Sequence, residues 1–392
     1  MLEARRSELE RIEADPSDFY RHHVGRSLVD ALVPVAGALG EDPGDLAWVP
    51  NTTFGLNLVA RSLVGRLGPG DEVLTTDLEY GSQVMLWRWL CERAGAELRF
   101  APVGEVGAED VPGLLESLVT SRTRVAFLSH ITSATARRLP VEDVARRLRA
   151  RGVVVVVDGA HAPGQIPLDL HAIGCNYYVG NLHKWFGAPR GAAVLHAPGP
   201  EAQSALDPLV VSWGGTDPSS LLAERVHSPG TVDPTTYLAA PAGVAFHREV
   251  LAPARSAARA RLGAAASALA ALGFERVGGQ EEDLMMAAFW FPEGAGVGSV
   301  AGAASVAGVA GVAGFASPED RAAQDGSASR RLDPARLGAA LQEAKVEAIL
   351  TEKGGRSLLR ICVAWYTTDE DIERLLGVLG AWLGRSGARG SE

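Results

Sequence analysis

Cysteine is scarce in this chain: Cys91, Cys175 and Cys362 are the only three in 392 residues. They stand far apart without paired spacing, which excludes a disulfide framework, gives no metal-ligand pattern and makes the reducing cytoplasm the expected compartment. A basic stripe is also missing. The formal net charge is -10, with arginines dispersed among acidic residues, so nucleic acid is not an expected partner. The opening stretch Met1–Glu13 alternates charged and apolar residues as an amphipathic helix does and lacks the apolar core of an export signal. Long hydrophobic runs are absent too. The nearest, Gly294 to Ala316, is built from repeating valine, alanine and glycine. It is too weakly apolar for a membrane span and is expected to be a disordered insertion over 294–331.

What is present is enough apolar material for more than one core, since 47% of the residues are hydrophobic. Between residues 45 and 200 strand-like runs alternate with helical patterns: Glu72–Thr76, Glu97–Ala101, Arg124–Ser129 and the five valines Val153–Val157. That order implies a mostly parallel sheet with crossover helices. A strand with no polar face belongs at its centre, covered on both sides. Pro140–Gly152 reads as a helix with apolar positions three or four apart and a terminal glycine. After about residue 240 the texture changes to an alanine-rich helix over Pro241–Leu272, a strand near Leu284–Phe291, a helix over Pro334–Lys345, a strand at Ser357–Val363 and a helix over Asp369–Leu383. The expectation is an α/β large domain over 1–240 and a smaller α+β domain over 241–392.

Chemistry-bearing residues gather in the first of these. Asp158 follows the valine strand, and Gly159-Ala160-His161 follows it. Ligands of open α/β sheets sit at the carboxyl ends of strands, although such an aspartate can equally cap a helix. Lys184 comes twenty-six residues later in Gly180-Asn181-Leu182-His183-Lys184-Trp185-Phe186-Gly187. Among aromatic neighbours it would be partly desolvated and its pKa depressed, which suits Schiff-base chemistry. A snorkelling lysine is the plainer alternative.

Asp158 and His183-Lys184 at this spacing resemble the core motif of the class V aminotransferases, enzymes of the pyridoxal-phosphate (PLP) transferase fold type I. The stretches Ser129–Pro140, Asp158–Asp169 and Gly180–Trp185 are similar to the isopenicillin N epimerase branch, and the resemblance runs from about Pro50 to Tyr366. It implies that Lys184 holds PLP as a Schiff base, that Asp158 keeps the pyridine nitrogen protonated, and that His161 lies near the cofactor's 3-oxygen. It further implies Thr52 and Thr53 at the phosphate with Asn181 and His183, Tyr80 stacked on the ring, Ser133 beside the cofactor, and Arg360 on the substrate carboxylate. Taken singly, Asn51-Thr52-Thr53 is also a helix cap, Tyr80 a packing residue, His161 a core histidine and Arg360 an edge charge. Thr231 in Gly230-Thr231 resembles the segment a second subunit lends to the phosphate, which implies a homodimer acting on a small amino-acid substrate. Three activities follow from the resemblance: an epimerase, a carbon–sulfur lyase, or a PLP-binding chain without turnover, because relatives carry further residues ahead of the helix that opens this sequence. A cysteine desulfurase fits less well, since the 294–331 loop has no cysteine and Cys362 is expected to be buried in a strand.

Overall fold

The computed structural model describes all residues except 214, 216–221, 228, 279–282, 293–333, 354 and 388–392. The expected insertion at 294–331 therefore lies outside the described residues. Two compact units are formed, Met1–Thr132 with Arg138–Pro253, and Ser133–Arg137 with Ala254–Glu392.

The first unit holds a seven-stranded sheet. Its strands are β1 (Leu46–Val49), β2 (Glu72–Thr76), β3 (Glu97–Ala101), β4 (Thr123–Ser129), β5 (Val154–Asp158), β6 (Tyr177–Asn181) and β7 (Ala193–His196). Their spatial order is β1-β7-β6-β5-β4-β2-β3. Strands β3, β2, β4, β5 and β6 pair in parallel, whereas β7 runs antiparallel to both β6 and β1. The valine strand β5 is central and all but its first residue is buried, as expected of a run without a polar face. Its preceding helix Val141–Ala150 buries Val141, Val144, Ala145 and Leu148, with Glu142 and Asp143 in its first turn and Arg147 and Arg149 in its last. That charge order complements the helix dipole while the apolar stripe meets the sheet. Close packing on the other side depends on Gly55: a Cβ there would lie 2.6 Å from Val179 Cγ1 of β6, so glycine is what lets the helix Thr52–Leu63 lie on the sheet.

The second unit carries an antiparallel sheet of β8 (Glu275–Arg276), β9 (Met286–Trp290), β10 (Ile349–Lys353) and β11 (Arg356–Cys362), in the order β10-β11-β9-β8. Helices Pro334–Glu343 and Asp369–Gly387 accompany it, and Phe291 packs against Phe274 and Trp382 with ring centroids 4.9 and 5.6 Å away. The fold is thus the large mostly parallel sheet with a smaller α+β unit.

Two local expectations are corrected. The single helix over Pro241–Leu272 is broken into Ala240–Phe246, a π-helical turn His247–Leu251 and Ala252–Ala271. Pro253 lacks an N–H and its ring collides with the carbonyl four residues back, at Glu249, so the widened turn sits where a regular helix would clash. Cys362 is exposed, because it ends β11, whose five interior residues are buried and whose two ends are not.

Candidate active site

The parallel strands of the large sheet all end on one edge, and this edge collects the residues that the sequence singled out. Register places Ser129 of β4 opposite Asp158 of β5, and Asp158 opposite Val179 of β6, two residues before Asn181. Strand β1 leads from the same edge into Asn51 and the helix Thr52–Leu63. Asn51 caps that helix, its Oδ1 accepting from Phe54 N at 2.9 Å, and the Thr52 N–H donates to Asn181 Oδ1 at 3.0 Å. Thr53 N–H has no intrahelical acceptor. The Thr52 hydroxyl is buried and has no partner at all, an expensive arrangement for a polar group without a ligand.

Asp158 caps no helix, since none begins until Leu170. Its Oδ1 instead accepts from Ala160 N at 2.9 Å, closing a tight turn. The turn requires Gly159, where a Cβ would fall 2.0 Å from the Tyr178 ring. Burial pushes the Asp158 carboxyl up to about 6, against the hydrogen bond from Ala160 and the charge of Lys184, which both pull it down.

His161 is buried, and the Gln165 side chain donates to its carbonyl at 2.8 Å. One side of its ring meets Lys184, with His161 Nε2 and Lys184 Nζ 3.1 Å apart, and the other accepts the Trp185 indole N–H on Nδ1 at 3.2 Å. Gly164 makes this meeting possible. It stands at φ +80, and a Cβ there would lie 2.4 Å from the Trp185 carbonyl, so the turn after β5 presses directly on the loop after β6. In that loop Leu182 and Phe186 point inward, which turns Lys184 out: it is exposed, and burial does not supply the desolvation expected of it. His183 Nδ1 lies 3.0 Å from the Ala192 carbonyl and so carries its proton there, leaving Nε2 as an acceptor. Burial holds the pKa of His183 below the usual histidine value, with Lys184 and Arg190 adding to the effect.

The remaining residues stand on other elements of the chain. Tyr80 is half exposed, at the start of the helix Gly81–Ala94. Thr231 is exposed, next to Val232, whose carbonyl accepts from the Tyr20 hydroxyl at 2.9 Å. Ser133 and Arg360 meet each other within the second unit: Arg360 Nη1 donates to the Ser133 carbonyl and, at 3.1 Å, to its hydroxyl. Arg360 is buried, and its Nε has no acceptor.

The aminotransferase class-V family model matches residues 34–226. Isopenicillin N epimerase of Streptomyces clavuligerus is 32% identical over 394 residues, covering 95% of this chain and 89% of that protein. The chain belongs to the class V aminotransferase family. The epimerase of Amycolatopsis lactamdurans is 36% identical over 60% of the chain, and cysteine desulfurase of Cronobacter sakazakii is 32% identical over 62% of it. Among solved structures, the cystine C–S lyase C-DES superposes with a TM-score of 0.76 at 22% identity, over 96% of this chain and 93% of that one. The Escherichia coli cysteine desulfurase CsdA gives 0.73 at 21%, over 97% and 92%. These structures share the fold.

Two site residues escaped sequence reading. Glu79 accepts from the Thr76 hydroxyl at 2.6 Å and from Ser129 N and Oγ at 3.1 and 2.6 Å. Burial pushes its carboxyl up to about 7, those bonds pull it down, and Asp158 raises it again. Its signal was an acidic residue just past a buried strand, next to Tyr80. Trp185 was noted as a neighbour of Lys184, but its contact with His161 depends on a turn that only the folded chain reveals.

Proposed function

We propose that this chain catalyses proton transfer at the Cα of an amino acid, inverting its configuration as an epimerase of the isopenicillin N type would. The observation that carries the reading is the Lys184–His161 pair at 3.1 Å on the sheet edge where Asp158 ends the neighbouring strand. The cofactor is pyridoxal 5'-phosphate and the chain is an enzyme. The residues present fit that group: the buried, unpartnered Thr52 hydroxyl at a helix N-terminus suits a phosphate oxygen, and a carboxylate at the end of β5 suits a protonated pyridine nitrogen.

When bound, PLP supplies a sink for the electron pair left at Cα. Lys184 Nζ would hold the cofactor and then take the α-proton from its own face, with His161 next to it to orient the amine, and inversion would follow when a proton is returned to the opposite face. Asp158 would stay ionised against the ring nitrogen. Thr52, Thr53 N–H and Asn181 would hold the phosphate, and His183 would join them once the phosphate charge draws a proton onto its Nε2. Tyr80, half exposed, would cover the ring face. Arg360, buried without a carboxylate partner among the described residues, is the proposed grip on the substrate carboxylate, oriented by Ser133. Thr231 would serve the partner's phosphate in a homodimer, and three cysteines that form no disulfide accord with a cytoplasmic location.

Cysteine desulfuration is less well supported. The thiols of Cys91 and Cys175 are buried and pushed up to about 11 and about 12 by that burial, which denies them nucleophilic character. Exposed Cys362 lies on a strand. The test is incubation of the PLP-loaded protein with single amino acids in deuterium oxide. Deuterium at Cα together with loss of optical purity is the expected result, and Lys184→Ala should abolish both. Sulfide, persulfide or pyruvate release without inversion would replace the epimerase reading by a lyase.

A further inference from the structure

The contacts around His161 assign its protons. An indole N–H is only ever a donor, so His161 Nδ1, 3.2 Å from Trp185 Nε1, must offer its lone pair. A neutral imidazole has one such nitrogen, and the proton therefore resides on Nε2. Nε2 in turn faces Lys184 Nζ at 3.1 Å. An N–H pointing at Nζ needs a lone pair there, which an ammonium group lacks. The alternative, an ammonium donating to Nε2, would move the ring proton to Nδ1 and set it against the Trp185 N–H.

We propose that Trp185, acting through His161, shifts the Lys184 amine toward its uncharged form, and that Trp185 is thereby a positioning residue for the chemistry of this lysine. The inference rests on Lys184 being the cofactor-bearing lysine. Because Lys184 is exposed, the hydrogen-bond chain replaces burial as the means of favouring the free amine. Other groups act on the same nitrogen. Asp158 on β5 pulls toward the ammonium, whereas His183 on the same loop is held toward its neutral form by burial, with Lys184 and Arg190 opposing a positive charge on it. The rigid parts of the chain are what favour the amine: Gly164 presses the turn onto Trp185, and Gln165 holds the His161 backbone.

The chain has three lysines, Lys184, Lys345 and Lys353, so competitive labelling reads this one directly. Cofactor-free protein is treated with trace acetic anhydride from about pH 6 to about pH 10, and each lysine peptide is quantified by mass spectrometry. Lys184 should acquire reactivity at a pH about one unit or more below exposed Lys345. Trp185→Phe, which keeps an aromatic ring but no N–H, should move Lys184 toward Lys345, and His161→Gln, whose amide can both accept and donate, should retain part of the difference. A Lys184 midpoint at or above that of Lys345, or one unchanged in Trp185→Phe, overturns the proposal. If Trp185→Phe does not fold, the nitrogen-15 spectrum of the wild-type histidines decides, with His161 assigned through His161→Asn: a proton on Nε2 is expected, and one on Nδ1 refutes the inference. The labelling is done without PLP. Failure to take up the cofactor would thus defeat the proposed function and leave this result standing, and the reverse also holds.

Discussion

Strand β2 has a glutamate at its first residue and another just beyond its last, and the protein treats them in opposite ways. Glu72 is fully buried and surrounded by donors: Arg99 at 2.8 Å, Arg122, and the hydroxyls of Thr120 and Thr123 at 2.8 and 3.0 Å. Burial alone would raise its carboxyl, but these partners overcome it and hold the group down at about 2. Glu79 has hydroxyls and one amide but no arginine, lies near Asp158, and rises to about 7. The amino edge of the sheet thus neutralises its carboxylate, whereas the carboxyl edge leaves two acids poised near neutrality. Groups kept in such a state belong to sites more often than to scaffolds, and the asymmetry separates the end of the sheet that holds the fold from the end that does chemistry.

The largest break in this comparison is expected from Glu72→Ala, which should lower stability by about 2–3 kcal/mol through lost charge-assisted hydrogen bonds. Urea unfolding measures it, and the folded fraction should keep its affinity for PLP. An equally large loss from Glu79→Ala with no effect of Glu72→Ala would invert the assignment. Next in size is the pH dependence of the cofactor-free protein. Folded Glu79 keeps its proton to about 7 against an ordinary 4.5, and Asp158 to about 6 against 3.8. The folded chain therefore binds more protons than the unfolded one across those windows, so stability should fall as pH rises through them and level off above about 7. Melting temperatures taken along that range should flatten in the Glu79→Gln, Asp158→Asn double variant; a slope that persists there would have another origin. Smallest is Glu79→Gln at low pH, where the native acid is already neutral. It should change stability by less than about 1 kcal/mol, since the amide can still accept from Ser129 and Thr76.

Much of this was legible beforehand because the signals are local. Five valines followed by Asp158 and a glycine define a central strand and its functional end, and Gly180–Trp185 marks the lysine loop. What stayed hidden depends on contacts between distant segments. Nothing near Lys184 in sequence says that Leu182 and Phe186 claim the interior and leave it exposed, or that Gly164 brings Trp185 to His161. Glu79 was hidden because its partners, Ser129 and Asp158, come from two other strands. The π-helical turn before Pro253 was within reach, since a proline inside a long helical pattern signals a break.

The central claim is that Lys184 carries the cofactor, and one measurement tests it most directly. The protein is loaded with PLP, reduced with borohydride and digested, and the phosphopyridoxyl mass is located among the peptides of Lys184, Lys345 and Lys353. The account predicts a stoichiometric adduct on Lys184 alone. An adduct spread over the other two lysines, or no adduct with the protein folded, would contradict it.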